Sequence, residues 1–280
     1  MTRTTALWLL LSTFGAGCTS LESQFDAKVR TAFGAPPTAP SAPLAEPDLA
    51  RLPAPVQRYV RRSGAVGRAR VQNVRFEFEA RMFRKPGADA MPATSIQYNF
   101  FANPTRLFFM KARMFGLPVG VFHAYAREAA TMRVRVASLV DMVDLAGEEL
   151  AIGETVTVLN DMCFFAPGAL VDPALGWEQL DGRTVRVTFQ NGRRRVAAVL
   201  HFNERDELVN FVSDDRAALL DDGTLHRYRW STPVEDYREF DGRRVPTRGT
   251  AIYAYPEGDF VYGTFVLKSI AWDVPTTTPR

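Results

Sequence analysis

From residue 71 onward, apolar and polar residues alternate along much of the chain. In the first stretch Phe76 and Phe78 alternate with Arg75, Glu77 and Glu79. Similar stretches follow at 95–100, 108–114, 119–125, 132–136, 185–189, 196–202 and 260–272. Turn dipeptides separate several of them, at Asn191-Gly192, Asp222-Gly223, Asp241-Gly242 and Glu257-Gly258. This period predicts antiparallel strands with one buried face, and a sheet of about ten or eleven strands must curl or split.

Three segments have the period of helices instead. Leu21, Phe25 and Val29 mark one face of a short N-terminal helix. We expect this helix to dock on the domain; the alternative is that it lies on a membrane. Residues 52–64 carry proline in the first turn and glycine after the end. Residues 147–170 form the third, central segment. The predicted fold is α+β: a strongly curved antiparallel half-barrel with a central helical plug and an N-terminal helix.

The extreme N-terminus predicts export. Arg3 precedes a short apolar stretch, ALWLLLSTF, and small residues then lead to Cys18. The stretch is too short to span a bilayer as a helix, which takes about 20 residues. It resembles a bacterial lipoprotein signal peptide, in which Cys18 would be lipidated; a cleaved export signal and an uncleaved anchor are the alternatives. We therefore expect a lipoprotein of the cell envelope that faces the periplasm. Thr19, rather than aspartate, follows Cys18, and this favours the outer membrane.

The predicted organisation has four parts. Residues 1–17 are the signal peptide, and residues 18–47 are the lipidated N-terminus, the short helix and a proline-rich tether. Residues 48–273 form a single curved-sheet domain, and 274–280 are a tail. The tether rests on Pro36, Pro37, Pro40 and Pro43, which favour extended chain.

Composition narrows the function classes. The 34 Lys and Arg against 31 Asp and Glu leave a net charge of +3, which gives no electrostatic case for a nucleic-acid partner. The 2 cysteines are too few for a disulfide framework or a four-cysteine zinc site. No cofactor and no metal site are predicted.

Five sequence blocks carry a family resemblance: LPAPVQRYVRRSG, RLFFMKARMFGLPVGVFHAY, ETVTVLNDMCFFAPGALVD, LVNFVSDDR and GRRVPTRGTAIYAY. In this order they resemble an uncharacterised bacterial family, a domain of unknown function, over most of residues 49–272. That resemblance implies nearly nothing about activity. More distantly, the predicted architecture is similar to the LolA/LolB-like half-barrel lipoprotein carriers, which bind acyl chains on the concave face; this second link is analogy at the level of the fold.

The polar residues do not form a known catalytic motif: a nucleophile elbow, a phosphate-binding glycine loop, HExxH and CxxC are all missing. We therefore expect no enzyme. The histidines at 123, 201 and 226 lack metal-ligand spacing. Cys163 is expected to be buried packing, and Asn160-Asp161 to serve as a helix end, a cap or a cross-strand hydrogen bond. Asp214-Asp215-Arg216 is interpreted as a charged turn with a local ion pair.

The apolar inner face is the main candidate site. We expect this face to bind a lipid or another hydrophobic small molecule. The second expected partner is the membrane, which the acyl anchor would engage. The predicted ligand-binding residues are Phe78, Phe108, Met110, Met114, Phe122, His123 and Met132. Two alternative functions remain open. The first is a non-catalytic structural or interaction protein with a filled core. The second is an enzyme that acts on lipid or glycan, with His123 or Asp161 as its polar centre.

Overall fold

The computed structural model of the protein describes residues 20–34 and 42–275. The predicted signal peptide (1–17), the lipidation site Cys18, residues 35–41 of the proline-rich tether and the end of the tail, 276–280, lie outside the described residues.

The described chain contains three α-helices and sixteen strands. The helices are α1 (Leu21–Phe33), α2 (Ala54–Arg62) and α3 (Glu148–Phe165), with 3-10 turns at Glu46–Leu49 and Pro167–Val171. The strands are β1 (Asn73–Met82), β2 (Met91–Phe100), β3 (Thr105–Met114), β4 (Leu117–Ala126), β5 (Ala129–Val136), β6 (Val140–Ala146), β7 (Leu175–Gln179), β8 (Thr184–Asn191), β9 (Arg194–Phe202), β10 (Leu208–Ser213), β11 (Ala217–Leu219), β12 (Leu225–Arg227), β13 (Arg229–Ser231), β14 (Val234–Phe240), β15 (Arg243–Tyr255) and β16 (Gly258–Trp272).

One curved sheet dominates the described residues. Its fourteen strands run in the order β6-β5-β4-β3-β2-β1-β16-β15-β13-β10-β9-β8-β7, with β14 also paired to β15, while β11 and β12 form a separate hairpin. The sheet does not close, which confirms the predicted α+β half-barrel. The described chain has more strands than the ten or eleven expected, in part because β11, β12 and β13 are three residues long and too short for a visible alternation.

Two bulges bend the middle of the sheet. The register of β1 against β16 shifts between Glu77 and Phe78, and that of β15 against β16 shifts between Ala251 and Ile252. A bulge inserts an extra residue in one strand, which bends that strand and increases its twist. The sheet therefore curls at β1, β15 and β16, and the strands on either side become the walls of a trough.

Helix α3 lies inside this trough. It contacts β3, β5 and β6 on one side and β9, β10 and β15 on the other, which is possible because the sheet curls around it. Nearly all of its residues from Ala151 to Phe165 are buried, as is typical of a helix with apolar residues on every side. Gly147, at φ 120°, precedes the helix, and Pro167 follows its end. The predicted central plug is confirmed.

Helix α1 packs on the outer face of the same sheet. The side chain of Ser20 accepts a hydrogen bond from the Ser23 backbone N–H at 3.1 Å and caps the helix. The apolar cluster beneath the helix comprises Leu21, Phe25, Val29, Tyr98, Leu107, Phe109, Phe122 and Ala124. Helix α1 therefore docks on the domain, which is the first of the two expectations for it, rather than lying on a membrane.

Helix α2 covers one end of the main core. Val56 and Val60 are buried, and the Tyr59 hydroxyl donates to the backbone oxygen of Cys163 at 2.7 Å. The chain already packs at Leu44, which is buried and pairs through its backbone with Gly67 and Arg68. Packed chain thus begins a few residues before the predicted boundary at residue 48. None of the helices within the described ranges is long and apolar enough to cross a membrane.

Candidate functional site

A cavity of about 730 Å³ lies between α3 and the concave face of the sheet. Strands β1 to β6 form one wall, which is unusually rich in methionine. Six of the chain's 8 methionines line it: Met82, Met91, Met110, Met114, Met132 and Met142. Methionine side chains are flexible and polarisable, so such a wall adapts to ligands of irregular shape.

The structure brings six of the seven predicted ligand-binding residues to this cavity: Phe78, Phe108, Met110, Met114, His123 and Met132. The prediction for Phe122 is wrong. On β4, His123 pairs with Phe108 while Phe122 pairs with Phe109. Because successive side chains on a strand point to opposite faces, Phe122 lies on the outer face, in the cluster under α1.

A buried polar cluster joins α3 to the methionine wall. Arg106 on β3 donates from Nη1 to Glu154 Oε2 at 2.9 Å and from Nε to Asp161 Oδ2 at 3.3 Å. Glu154 and Asp161 are seven residues apart on α3, so they share one face of the helix. The other oxygen of Glu154 lies 2.9 Å from His123 Nδ1.

Two amide side chains complete this cluster. Gln97 Nε2 and Asn99 Nδ2 donate to Asp161 Oδ2 at 2.7 and 2.9 Å, and Gln97 Oε1 accepts from Arg106 Nη2 at 3.0 Å. Asp161 therefore links α3 to β2 and β3 by accepting hydrogen bonds from them, a structural role that differs from the helix end, the cap and the cross-strand bond expected for it. Buried polar groups that satisfy one another in this way rigidify a core and fix its geometry.

The two carboxyl groups titrate differently. Burial opposes the ionisation of Glu154, but the charge of Arg106 and the hydrogen bond of His123 outweigh it and hold the pKa of Glu154 well below its usual range. At Asp161, burial dominates and raises the pKa despite Arg106 and the two amides. Cys163, the nearest thiol on α3, is fully buried, and burial raises its pKa far above the usual range. A thiol of that kind is a poor nucleophile.

A second polar group, centred on Arg216, lies on the opposite wall. Its Nε donates to Thr157 Oγ1 at 3.3 Å, and its Nη1 donates to the Tyr253 hydroxyl. The guanidinium carbon lies 4.6 Å from the centre of the Trp230 ring, a cation–π contact. Nearby, Asn160 Nδ2 donates to Thr232 Oγ1 at 2.6 Å.

The local ion pair expected at Asp214-Asp215-Arg216 is absent from this part of the described chain. Asp214 pairs with Arg229 at 3.0 Å, and Asp215 accepts from the backbone N–H of Ala197 at 2.7 Å. Neither Asp214 nor Asp215 is among the residues that line the cavity, whereas Arg216 is. The three charges are neighbours in sequence, but the chain leaves β10 here and directs them to different partners.

Exposed apolar residues mark one edge of the cavity. Phe115 in the β3–β4 turn is 90% exposed and Leu139 in the β5–β6 turn is 83% exposed. Both turns end strands of the methionine wall, and Met114, Val136 and Met142 beside them line the cavity. The cavity thus reaches an edge of the sheet where large apolar side chains project into solvent.

Arg106 and Glu154 were not identified from the sequence, and Arg216 was interpreted only as part of a charged turn. Glu154 is the one charged residue between Leu150 and Leu159 of the helical stretch, and Arg106 directly precedes an apolar strand core. A charge in such a stretch is a signal of a buried partner. The identity of the partner could not be predicted from the sequence, because 48 residues separate Arg106 from Glu154 along the chain.

Comparisons with known proteins place the chain in a family. A model of the family described as a family of unknown function, DUF6544, matches residues 42–265. This confirms the resemblance found in the sequence blocks. No curated protein matches the sequence.

Two solved structures resemble the fold. One is a domain named as a candidate outer membrane lipoprotein-sorting protein from Vibrio parahaemolyticus, with a TM-score of 0.37, 7% identity, and coverage of 72% of this chain and 85% of that chain. The other is a LolA superfamily protein from Nitrosomonas europaea, with a TM-score of 0.40, 10% identity, and coverage of 80% of this chain and 89% of that chain. Both likenesses are distant, so the function has to follow from the residues of this chain.

Proposed function

Since the chain belongs to DUF6544, a family of unknown function, we propose its role from the cavity. The protein is a non-catalytic lipoprotein of the cell envelope that binds a lipid or another hydrophobic small molecule on the concave face of its half-barrel. The observation that carries this proposal is the cavity of about 730 Å³ that α3 leaves unfilled.

A void of this size argues against a filled core. Protein interiors are packed as densely as organic crystals, and voids larger than a water molecule are few. Ligand sites, by contrast, are concave, mostly apolar and about 300–1,000 Å³ in volume. The cavity falls within that range, and its methionine wall suits a ligand without a fixed shape.

The polar cluster favours binding over catalysis. Arg106, Glu154, Asp161 and the two amides use their hydrogen-bonding groups on one another. A catalytic acid or base must reach a substrate atom at about 2.6–3.2 Å, and Asp161 Oδ2 already receives hydrogen bonds from Gln97 and Asn99. We therefore assign this cluster to holding α3 against the methionine wall.

The location in the envelope rests on Cys18 and on the exposed apolar edge. Ser20, two residues after Cys18, borders the same surface groove as Pro118 and Ser138, which flank the exposed turns. The apolar side chains of Phe115 and Leu139 project into solvent, as suits contact with a membrane, so in this proposal the open edge of the cavity faces the membrane. We place the protein on the periplasmic side, with the outer membrane favoured.

Titration with a neutral hydrophobic fluorophore, phenylnaphthylamine, tests ligand binding. Met132 lines the cavity and is only partly buried, whereas its neighbour Thr131 is exposed on the other face of β5. Met132→Lys puts a charge where the apolar probe binds, so we expect its affinity to fall about tenfold or more, a loss of roughly 1.4 kcal/mol. Thr131→Lys, the matched control, is expected to bind as the wild type does.

A thermal melt of both variants accompanies the titration. If the wild type does not enhance the fluorescence of the probe, or if both lysine variants bind it equally well, the concave cavity is not a binding site. If Met132→Lys fails to fold, Val134→Trp is the second variant. Its large apolar side chain would occupy the cavity beside the same wall, and we expect it to weaken binding of the probe.

A further inference from the structure

The ligand's polar end can be deduced from Arg216. We propose that Arg216 is the counterion for the head of an anionic amphiphile, so that the ligand is a long-chain carboxylate or an alkyl phosphate rather than a neutral lipid. This inference rests on the proposed function, because it assumes that a ligand occupies the cavity.

The first observation is that Arg216 forms no salt bridge within the described residues, although the charge of Glu154 acts on it from a longer distance. Its hydrogen-bond partners, the hydroxyls of Thr157 and Tyr253, are neutral. Within residues 20–34 and 42–275, no Asp or Glu lies at ion-pairing distance from it, whereas Arg106 across the cavity pairs with two carboxylates. Burying a charge is costly unless the charge is paired, and Arg216 is largely covered by protein.

The two buried carboxylates beside the cavity are paired with another arginine. Glu154 and Asp161 are held by Arg106 at 2.9 and 3.3 Å, and Glu154 also contacts His123. The charged residues that line the cavity are four arginines, Arg84, Arg106, Arg216 and Arg248, and two carboxylates, Asp161 and the exposed Asp221. The buried negative charge is gathered around Arg106, while the guanidinium of Arg216 lies among aromatic rings and hydroxyls. The wall that carries Arg216 is therefore the electropositive side of the cavity.

Further hydrogen-bond donors surround the guanidinium. The Tyr262 hydroxyl accepts from Trp230 Nε1 at 2.9 Å, and Thr232 Oγ1 accepts from Asn160. Each hydroxyl keeps its own proton available for a ligand oxygen, and both residues line the cavity with Arg216. An anionic head needs such a set: one cation and several neutral donors that replace its water.

The two walls together define an amphiphile. Arg216, Tyr262 and Thr232 lie on one wall, and the methionine wall with Phe108 lies opposite. A ligand with one anionic head and one apolar tail satisfies both walls at once. A neutral hydrocarbon would leave Arg216 unpaired, and a small anion alone would leave the apolar wall empty.

Competition experiments on the full chain separate these possibilities. Bound phenylnaphthylamine is displaced by dodecanoate, by methyl dodecanoate, which has the same chain without the charge, or by dodecyl phosphate. We expect the wild type to prefer the two anions to the ester by about tenfold or more, as a charge-assisted hydrogen bond allows. The two anions distinguish a carboxylate head from a phosphate head.

Three variants locate the preference. Arg216→Gln should weaken the binding of the anions about tenfold more than the binding of the ester or of phenylnaphthylamine. Arg216→Lys should retain most of the preference. Arg229→Gln, which removes a nearby exposed arginine that pairs with Asp214, should behave as the wild type.

The outcomes are distinct. Equal affinity of the wild type for dodecanoate and its ester, or an unaltered preference in Arg216→Gln, overturns the assignment of Arg216 while leaving the hydrophobic site intact. A wild type that binds neither phenylnaphthylamine nor the ester refutes the proposed function itself. Loss of ester binding in a folded Arg216→Gln variant also overturns the assignment, because that result would mean that Arg216 maintains the shape of the cavity rather than binding an anionic head.

Discussion

Glu154 and Asp161 lie on the same face of α3 and share Arg106, yet their pKa values shift in opposite directions. The difference follows from their neighbours. Glu154 has Arg106 and His123 on separate oxygens, whereas Asp161 receives its closest contacts from two neutral amides and also feels the charge of Glu154. Hydrogen bonds from neutral amides compensate burial less than a full positive charge does.

Glu154→Gln tests this at the scale of one residue. The substitution keeps the shape of the side chain but removes the charge opposite Arg106, and breaking a buried pair costs about 3 kcal/mol. Because the folded pKa of Glu154 lies below its ordinary value of 4.5, its charge contributes fully above that pH. This contribution is lost as the pH falls further. Urea unfolding should therefore show a gap between wild type and variant that is widest near neutral pH and narrows below 4.5.

Glu149→Gln is the matched control for that experiment. Glu149 lies on the same helix, but its side chain is 44% exposed and pairs with Arg227 at the surface. Surface ion pairs contribute little, so this variant should unfold almost as the wild type does. A gap for Glu154→Gln that stays constant across the pH series, or that is no larger than the control's, would contradict the assigned role of Glu154.

At the scale of the element, α3 contains a helix-interior glycine beside the site. A Cβ at Gly153 would lie 3.5 Å from Arg216 Cγ, an ordinary van der Waals contact. Alanine is favoured over glycine in a helix by about 1 kcal/mol. Gly153→Ala is therefore expected to raise the free energy of unfolding by up to about 1 kcal/mol, measured by urea denaturation. Ala151→Gly, two residues earlier, should lower it by at least about 1 kcal/mol. A destabilised Gly153→Ala would mean that Arg216 requires the space.

The strands and helices with a clear period were predictable from the sequence. The alternation on β1 to β5 placed Phe78, Phe108, Met110 and Met132 on the concave face, because side-chain parity alone decides the face. Phe122 and His123 were both assigned inward, which parity forbids for neighbours on a strand. Arg216 was missed for another reason: its partners Thr157 and Tyr253 are remote in sequence, and no local pattern marks them.

At the scale of the whole molecule, the proposed attachment to the membrane depends on Cys18, which lies outside the described residues. The chain's 2 cysteines allow a matched test. Cys18→Ser should release the protein from the membrane fraction and stop the incorporation of labelled fatty acid. Cys163→Ala should leave both unchanged, since Cys163 is buried in α3. A wild type that takes up no acyl label would contradict the lipoprotein assignment.

The order of the strands also has a mechanical consequence. The sheet ends at β6 on one side and at β7 on the other, and strands β1, β16 and β15 join the two walls. Side chains also bridge the walls at the β4–β5 turn, where Asn191 donates to the Tyr125 hydroxyl and Arg194 donates to the Glu128 backbone oxygen. In a closed barrel the circumference is fixed by a continuous ring of hydrogen bonds, so swelling would have to break some of them. Here the two walls can spread only at the end of the trough away from these hydrogen bonds, beside Phe115 and Leu139, while every strand keeps its backbone partners. We therefore expect the cavity to change its width at that end when it takes up the proposed ligand.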